Sequence, residues 1–167
     1  MAINLGRNNN TMGALNLQKN DILDLTKKNP GLEKVILGAG WDVASMGQDF
    51  DIDIAAFLLN ENGKVGQIPN DVIFFNNKFG DGITLLGDNR TGAGDGDDER
   101  IQIDLSKIRN DIQKIVFIVT IHEAQPRRQT FGMVNNSYVR LLDEKNNEKE
   151  LCRFNLKENG STVTSVI

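Results

Sequence analysis

Residues 49–60 read Asp-Phe-Asp-Ile-Asp-Ile-Ala-Ala-Phe-Leu-Leu-Asn. Side chains of an extended chain alternate between two faces. The stretch therefore predicts a strand with Asp49, Asp51 and Asp53 on one face and Phe50, Ile52 and Ile54 on the face of a core. From Ala55 to Leu59 both faces turn apolar, as in a strand covered on each side. Asn60-Glu61-Asn62-Gly63 then supplies a turn, because Asn-Gly readily takes positive φ.

Working outward, the same period recurs. Ile101, Ile103 and Leu105 alternate with Arg100, Gln102 and Asp104. Lys114–His122 is β-branched and apolar, which fits a strand paired on both sides. Leu32–Ala39, Val72–Phe75 and short apolar pieces at Leu15–Leu17 and Ile22–Leu25 add further strands or half-strands. Ser137–Leu142 and Lys149–Leu156 predict a hairpin around the polar turn Asp143–Glu148, and Ser161–Ile167 begins one more strand. Pro30-Gly31 breaks the chain, Asn76–Gly82 reads as a polar turn, and the four glycines of Gly87–Asp98 exclude regular structure there. Ser106–Gln113 predicts one or two helical turns, and a short helix falls near Pro126–Gln129. Many short strands with turn signals at this spacing predict an all-β fold, an antiparallel β-sandwich with one or two short helices. With no internal repeat or linker, residues 1–167 form a single domain.

Composition narrows the function. The chain has 167 residues, 39% hydrophobic and 25% charged, as expected of a globular domain. No apolar run approaches the roughly 20 residues that span a bilayer, and the N-terminus lacks a secretory pattern, so the expected location is cytoplasmic. One cysteine, Cys152, rules out an internal disulfide framework or a cysteine metal cluster. The net charge of −4 argues against nucleic acid as a partner. That charge is unevenly spread. Residues 42–53 carry −4 and residues 81–99 carry −5, so the remainder is a basic body of +5.

Carboxylates at alternate positions of one strand repel, and the loop Gly87–Glu99 adds Asp88, Asp95, Asp97, Asp98 and Glu99. If the two segments meet, they need a cation or protonated acids. Oxygen donors on a Gly-rich loop suit Ca²⁺, which takes six to eight oxygens in irregular geometry, better than octahedral Mg²⁺. An EF-hand is excluded: with Asp88 first and Glu99 twelfth, Arg90, Gly92 and Ala93 occupy positions that require Asp/Asn, Asp/Asn and Gly. No GK[ST] follows Gly92-Ala93-Gly94-Asp95-Gly96, and five acids repel phosphate, which argues against nucleotide binding.

Taken together, Gly40-Trp41-Asp42, Phe50–Leu59, Gly87-Asp88-Asn89-Arg90-Thr91-Gly92 and Gly96-Asp97-Asp98-Glu99 resemble the tellurium-resistance TerD family. Ile103-Asp104-Leu105, Lys114–Phe117, Thr120–Ala124, Phe131-Gly132 and Arg153-Phe154 continue the likeness over nearly the whole chain. The resemblance implies a calcium-binding β-sandwich of bacterial stress and tellurite-resistance systems, acting by calcium-dependent binding and not as an enzyme. It implies Asp42, Asp51, Asp53, Asp88, Asn89, Asp97, Asp98 and Glu99 as metal ligands. Asp49 and Asp95 are further candidates, with carbonyls around Gly92–Gly96 completing the shell of what we expect to be two Ca²⁺ ions. The expected partner is another protein of the stress system, with peripheral membrane association as a second route. The family pattern continues past Ile167 into an aromatic hairpin, so the resemblance implies a chain shortened at its C-terminus or lacking those strands, with a sheet edge open to pairing.

The other reactive side chains read as structural: His122 at a strand end, Cys152 as a small buried hydrophobe, Trp41 packed beneath the acidic loops, and Arg127-Arg128 as solvated surface. A metal-dependent phosphoester hydrolase and a calcium-dependent membrane-binding module are the alternative readings. The first is disfavoured by the single histidine, the second by the lack of an evident apolar loop tip.

Overall fold

A computed structural model describes residues 14–21, 29–42, 49–87 and 96–167. Among these residues two sheets face each other. The larger contains, in spatial order, β1 (Leu15–Leu17), β10 (Lys149–Asn155), β9 (Asn135–Asp143), β2 (Lys34–Asp42), β7 (Glu99–Asp104), β6 (Ile83–Leu85) and β5 (Phe79–Gly80). The smaller contains β11 (Ser165–Val166), β8 (Ile112–Ile121), β3 (Ile52–Asn60) and β4 (Val72–Ile73). Pairing is antiparallel except at the edge, where β1 lies parallel to β10. The sandwich expected from the alternating pattern is thus present, with one parallel strand added.

The register of β3 against β8 runs from Ile52↔Ile121 to Asn60↔Ile112. It turns Ile52, Ile54, Ala56 and Leu58 inward, where they meet Val35, Ala39 and Trp41 of β2 and Ile101 and Ile103 of β7. Each fully buried isoleucine contributes roughly 2–3 kcal/mol of transfer free energy, so the two alternating strands supply much of the drive for sheet pairing.

Three local readings differ from the structure, and the short helix expected near Pro126–Gln129 is present. Asn76–Gly82, read as a turn, contains β5, whose two residues pair Phe79↔Thr84 and Gly80↔Ile83. So short a strand leaves no period to read. Ser106–Gln113 makes no helix: the Asp104 carboxylate accepts from Ser106 Oγ at 2.6 Å and Ser106 N at 3.2 Å, closing a turn before β8. The helix expected near Pro126 is α1 (Ala124–Arg127), bounded by left-handed Glu123 and Arg128. A second helix, α2 (Leu156–Asn159), ends the stretch read as strand. Its signal was in the sequence, since Asn155 caps Glu158 N three residues on. The segment Ile22–Leu25 lies outside the described residues.

The two sides of the sandwich differ. On the β4/β5 side, a Cβ at Gly80 would sit 2.5 Å from the Asn70 carbonyl, so the 66–71 loop lies directly on β5. Fully buried Asp71 accepts from Gln67 N at 2.7 Å and Gly66 N at 3.2 Å, and pairs with both terminal nitrogens of Arg109 at 2.8 and 3.1 Å. On the opposite side β11 pairs with β8 only at Thr120 and Val119. There a cleft of about 230 Å³ opens between the sheets, lined by Leu17, Phe117, Val119, Cys152, Phe154 and Val166.

Burial pushes the Asp71 carboxyl up, but its bonds to Arg109, Gln67 and Gly66 outweigh that and hold it below the ordinary carboxylate value. A depressed folded-state pKa stabilises the protein above the unfolded value of about 3.9 and stops doing so as pH falls through the folded value. Asp71→Asn is expected to cost about 2 kcal/mol, because it removes the charged acceptor shared by Arg109, Gln67 N and Gly66 N, while Asp111 and Asp81 still face the Arg109 charge. Urea unfolding at pH 7 checks this, and the difference between the two proteins shrinks below about pH 4.

Candidate metal centre

The sheet registers bring Asp42, Asp51, Asp53, Asp98 and Glu99 to one end of the sandwich. β2 ends there at Asp42, β7 begins there at Glu99 opposite Ala39, and β3 begins there with Ile52 opposite Ile121. Phe50, Ile52 and Ile54 are buried while Asp51 and Asp53 are partly exposed, as the alternation requires.

Backbone and side-chain donors fix the 49–53 segment from two directions. Gln129 Nε2 donates to the Asp49 carbonyl at 3.0 Å, joined by the Arg127 guanidinium. The Trp41 indole Nε1 donates to the Phe50 carbonyl at 3.0 Å, and His122 N to the Asp51 carbonyl at 2.7 Å. Asp53 Oδ2 lies 3.7 Å from His122 Nδ1. Three successive carbonyls are therefore already accepting bonds.

The loop acids separate into three roles. Fully buried Glu99 turns inward and accepts from Ile54 N at 2.7 Å. That amide lies past the end of β4, which pairs only with Ala56 and Phe57. Asp97 turns to the outer face of the larger sheet, over Gly38, where it accepts from Arg140 Nε at 2.7 Å, with Arg100 Nε at 3.6 Å. Tyr138 Oη is 3.2 Å from Asp97 and 3.0 Å from the Gly96 carbonyl. Asp98 points along the rim and accepts from Trp41 N at 2.9 Å. Burial pushes the Asp98 carboxyl up and the Trp41 bond lowers it. The neighbouring charges of Asp97 and Asp42 add to the rise, which is the net direction.

Asp42 accepts from Asn136 Nδ2 at 2.5 Å, and Asn136 itself is in the left-handed region. Asp88, Asn89 and Asp95 lie outside the described residues. Among the described residues, no three His, Cys, Asp or Glu side chains converge as a metal-holding group. The side chains of Asp42, Asp51, Asp53 and Asp98 nevertheless offer carboxylate oxygens, the donor type a hard cation takes.

Sequence reasoning missed the basic lattice beside the rim. Arg140 bridges Asp97 to Glu150 at 3.2 Å, Arg153 grips both Glu150 oxygens at 2.8 Å, and the Arg153 guanidinium stacks 3.9 Å over the Tyr138 ring. The signal was available as Tyr138 and Arg140, two apart in a predicted strand and hence on one face. Cys152 is buried, and burial pushes its thiol up to about 11.

A two-sheet β-sandwich with carboxylates gathered at one end and a Gly-rich acidic connection into β7 defines the class of protein. The family model described as the TerD domain matches residues 12–167, and the chain belongs to the TerD family. It is 47% identical over 157 residues to a tellurium resistance protein TerD of Alcaligenes, covering 92% of this chain and 81% of that one. General stress protein 16U of Bacillus subtilis is 46% identical over 157 residues, covering 92% of this chain and 80% of its own. A crystal structure of a telluride resistance protein homologue from Streptomyces coelicolor shares the fold. It has a TM-score of 0.67 and 24% identity, covering 81% of this chain and 78% of that one. Among the described residues no helix is long and apolar enough to cross a membrane.

Two measurements check this geometry. A Cβ at Gly40 would lie 2.5 Å from Tyr138 Oη and 2.7 Å from the Gly96 carbonyl, so Gly40→Ala is expected to displace the strand entering β7 and lower stability by roughly 2 kcal/mol. Thermal unfolding reads the loss. Cys152 should resist iodoacetamide at pH 8 in the folded protein and react within minutes in urea, since a thiol titrating near 11 is almost wholly protonated at pH 8.

Proposed function

We propose that this protein is a calcium-binding module of a bacterial stress or tellurite-resistance system, working in the cytoplasm by calcium-dependent binding and not by catalysis. The observation that carries the reading is geometric: Asp42 at the end of β2 and Asp98 just before β7 lie at one end of the sandwich, and Trp41 joins Asp98 to the 49–53 segment. Arg140 neutralises Asp97 on the outer face, whereas Asp98 is turned to the rim with Asp42.

Asp98, Asp42, Asp51 and Asp53 would hold the ions together with oxygens of the 88–95 loop, and two ions suit that number of carboxylates. Calcium, when bound, supplies positive charge that lets these acids stay ionised side by side. Trp41 N, Gln129 and His122 N orient the acidic segments beforehand, and Glu99 keeps β3 and β7 in contact beneath them. The surface so ordered is the proposed docking site for another protein of the stress system.

Calcium titration by calorimetry on EDTA-stripped protein tests the reading. About two ions should bind, each of Asp98→Asn and Asp51→Asn should weaken binding by about tenfold or more, equivalent to about 1.4 kcal/mol, and calcium should raise the unfolding temperature. Absence of binding heat, with the same unfolding temperature in calcium and in EDTA, would overturn it.

A further inference from the structure

One buried residue touches both acidic segments. Trp41 is 3% exposed, and it is the sole tryptophan of the chain. Its backbone N–H donates to Asp98 Oδ2 at 2.9 Å, and its indole N–H donates to the Phe50 carbonyl at 3.0 Å, between Asp49 and Asp51. The two bonds leave the residue from its backbone and from the far edge of its ring. A shift of Asp98 that moves the Trp41 backbone therefore moves the ring edge that holds Phe50. The Trp41 ring belongs to the same buried cluster as Phe50, Phe131 and Val134, and a close-packed interior passes on a displacement more than it absorbs it.

We infer that Trp41 is a positioning residue that couples the 97–99 segment to the 49–53 segment, so that ordering one orders the other. The consequence for cations, that an ion held on Asp98 raises the affinity of the Asp51 and Asp53 side, rests on the calcium reading above; the mechanical coupling does not. A rival route exists through Glu99, whose carboxylate joins β7 to the Ile54 amide at 2.7 Å, and the two routes predict different outcomes when only the indole N–H is removed.

The experiment follows backbone amide resonances of the 167-residue protein in EDTA, with Asp98→Ala as the perturbation. It is made in the Trp41 protein, in Trp41→Phe, and in a protein carrying benzothienylalanine at position 41, which keeps the ring shape and replaces N–H with sulfur. The isostere keeps the test decisive should Trp41→Phe not fold. We expect Asp98→Ala to shift the amides of Asp49–Asp53 in the Trp41 protein and to leave them unmoved once the indole N–H is gone. Shifts that persist in the isostere would assign the coupling to Glu99 and overturn the proposal, as would a perturbation that never leaves residues 96–100. The calcium arm repeats the titration with the isostere. Loss of cooperativity between the two ions, with both still bound, supports the consequence for cations, and unchanged cooperativity overturns that consequence. A protein that binds no calcium at all fails the functional reading alone and leaves the EDTA result to decide the coupling.

Discussion

The acidic end of this sandwich depends on a carboxylate that faces inward. Glu99 is fully buried and accepts from the Ile54 amide, which lies beyond the reach of β4. An unpartnered amide there would cost about 1–3 kcal/mol, and an unpartnered buried carboxylate considerably more. Each is satisfied by the other across the interior, joining the first residue of β7 to the third residue of β3. Because the sheets are tied at this point, Asp98 and Asp53 emerge on one rim and not on two separate surfaces.

That arrangement also sorts the acids by what neutralises them. Asp97, one residue before Asp98, turns to the outer sheet face, where glycine at 38 leaves space for its carboxylate beside Arg140 and Arg100. Arg140 and Arg153 share Glu150 and pack on Tyr138, so the positive charge of the body forms a lattice fixed to β9 and β10. The irregular backbone at Asp97-Asp98, just before β7 begins at Glu99, thus sends three neighbouring carboxylates to an ion-pair lattice, a rim and a core. A run of acids that looks uniform in sequence has three different electrostatic surroundings.

Much of this was legible beforehand, and the reasons are local. Period-two patterning in 49–60 and 99–104 identified the buried faces correctly, because a strand places each side chain by parity alone. Leu105, read on the same face as Ile101 and Ile103, instead lies past the end of β7 and is 41% exposed. The hairpin of β9 and β10 followed from its polar turn. What parity does not give is partner choice: that β2 lies between β9 and β7, or that β1 joins β10 in parallel, depends on distant pairings that no short window contains. Single strand positions also do not reveal that Asp97 meets Arg140, 43 residues later. The helix α2 was legible through Asn155 and Glu158 but was hidden by the apolar alternation running into Leu156.

The contrast between the two sides of the sandwich shapes its motions. Asp71 and Arg109 clasp the β4/β5 side, whereas β8 has only two residues of β11 against its other edge among the described residues. Fluctuations that part the sheets start where fewest bonds must break, so they open along β8 and the cleft beside Phe117 and Cys152 while the clasped side stays shut. Hydrogen exchange would accordingly divide the β3–β8 ladder by direction: amides of β8 aimed at the open edge would exchange early, and those aimed at β3 only with the whole molecule. The sandwich is built like a hinged book, bound along one spine, with its acidic rim on the short edge that both covers share.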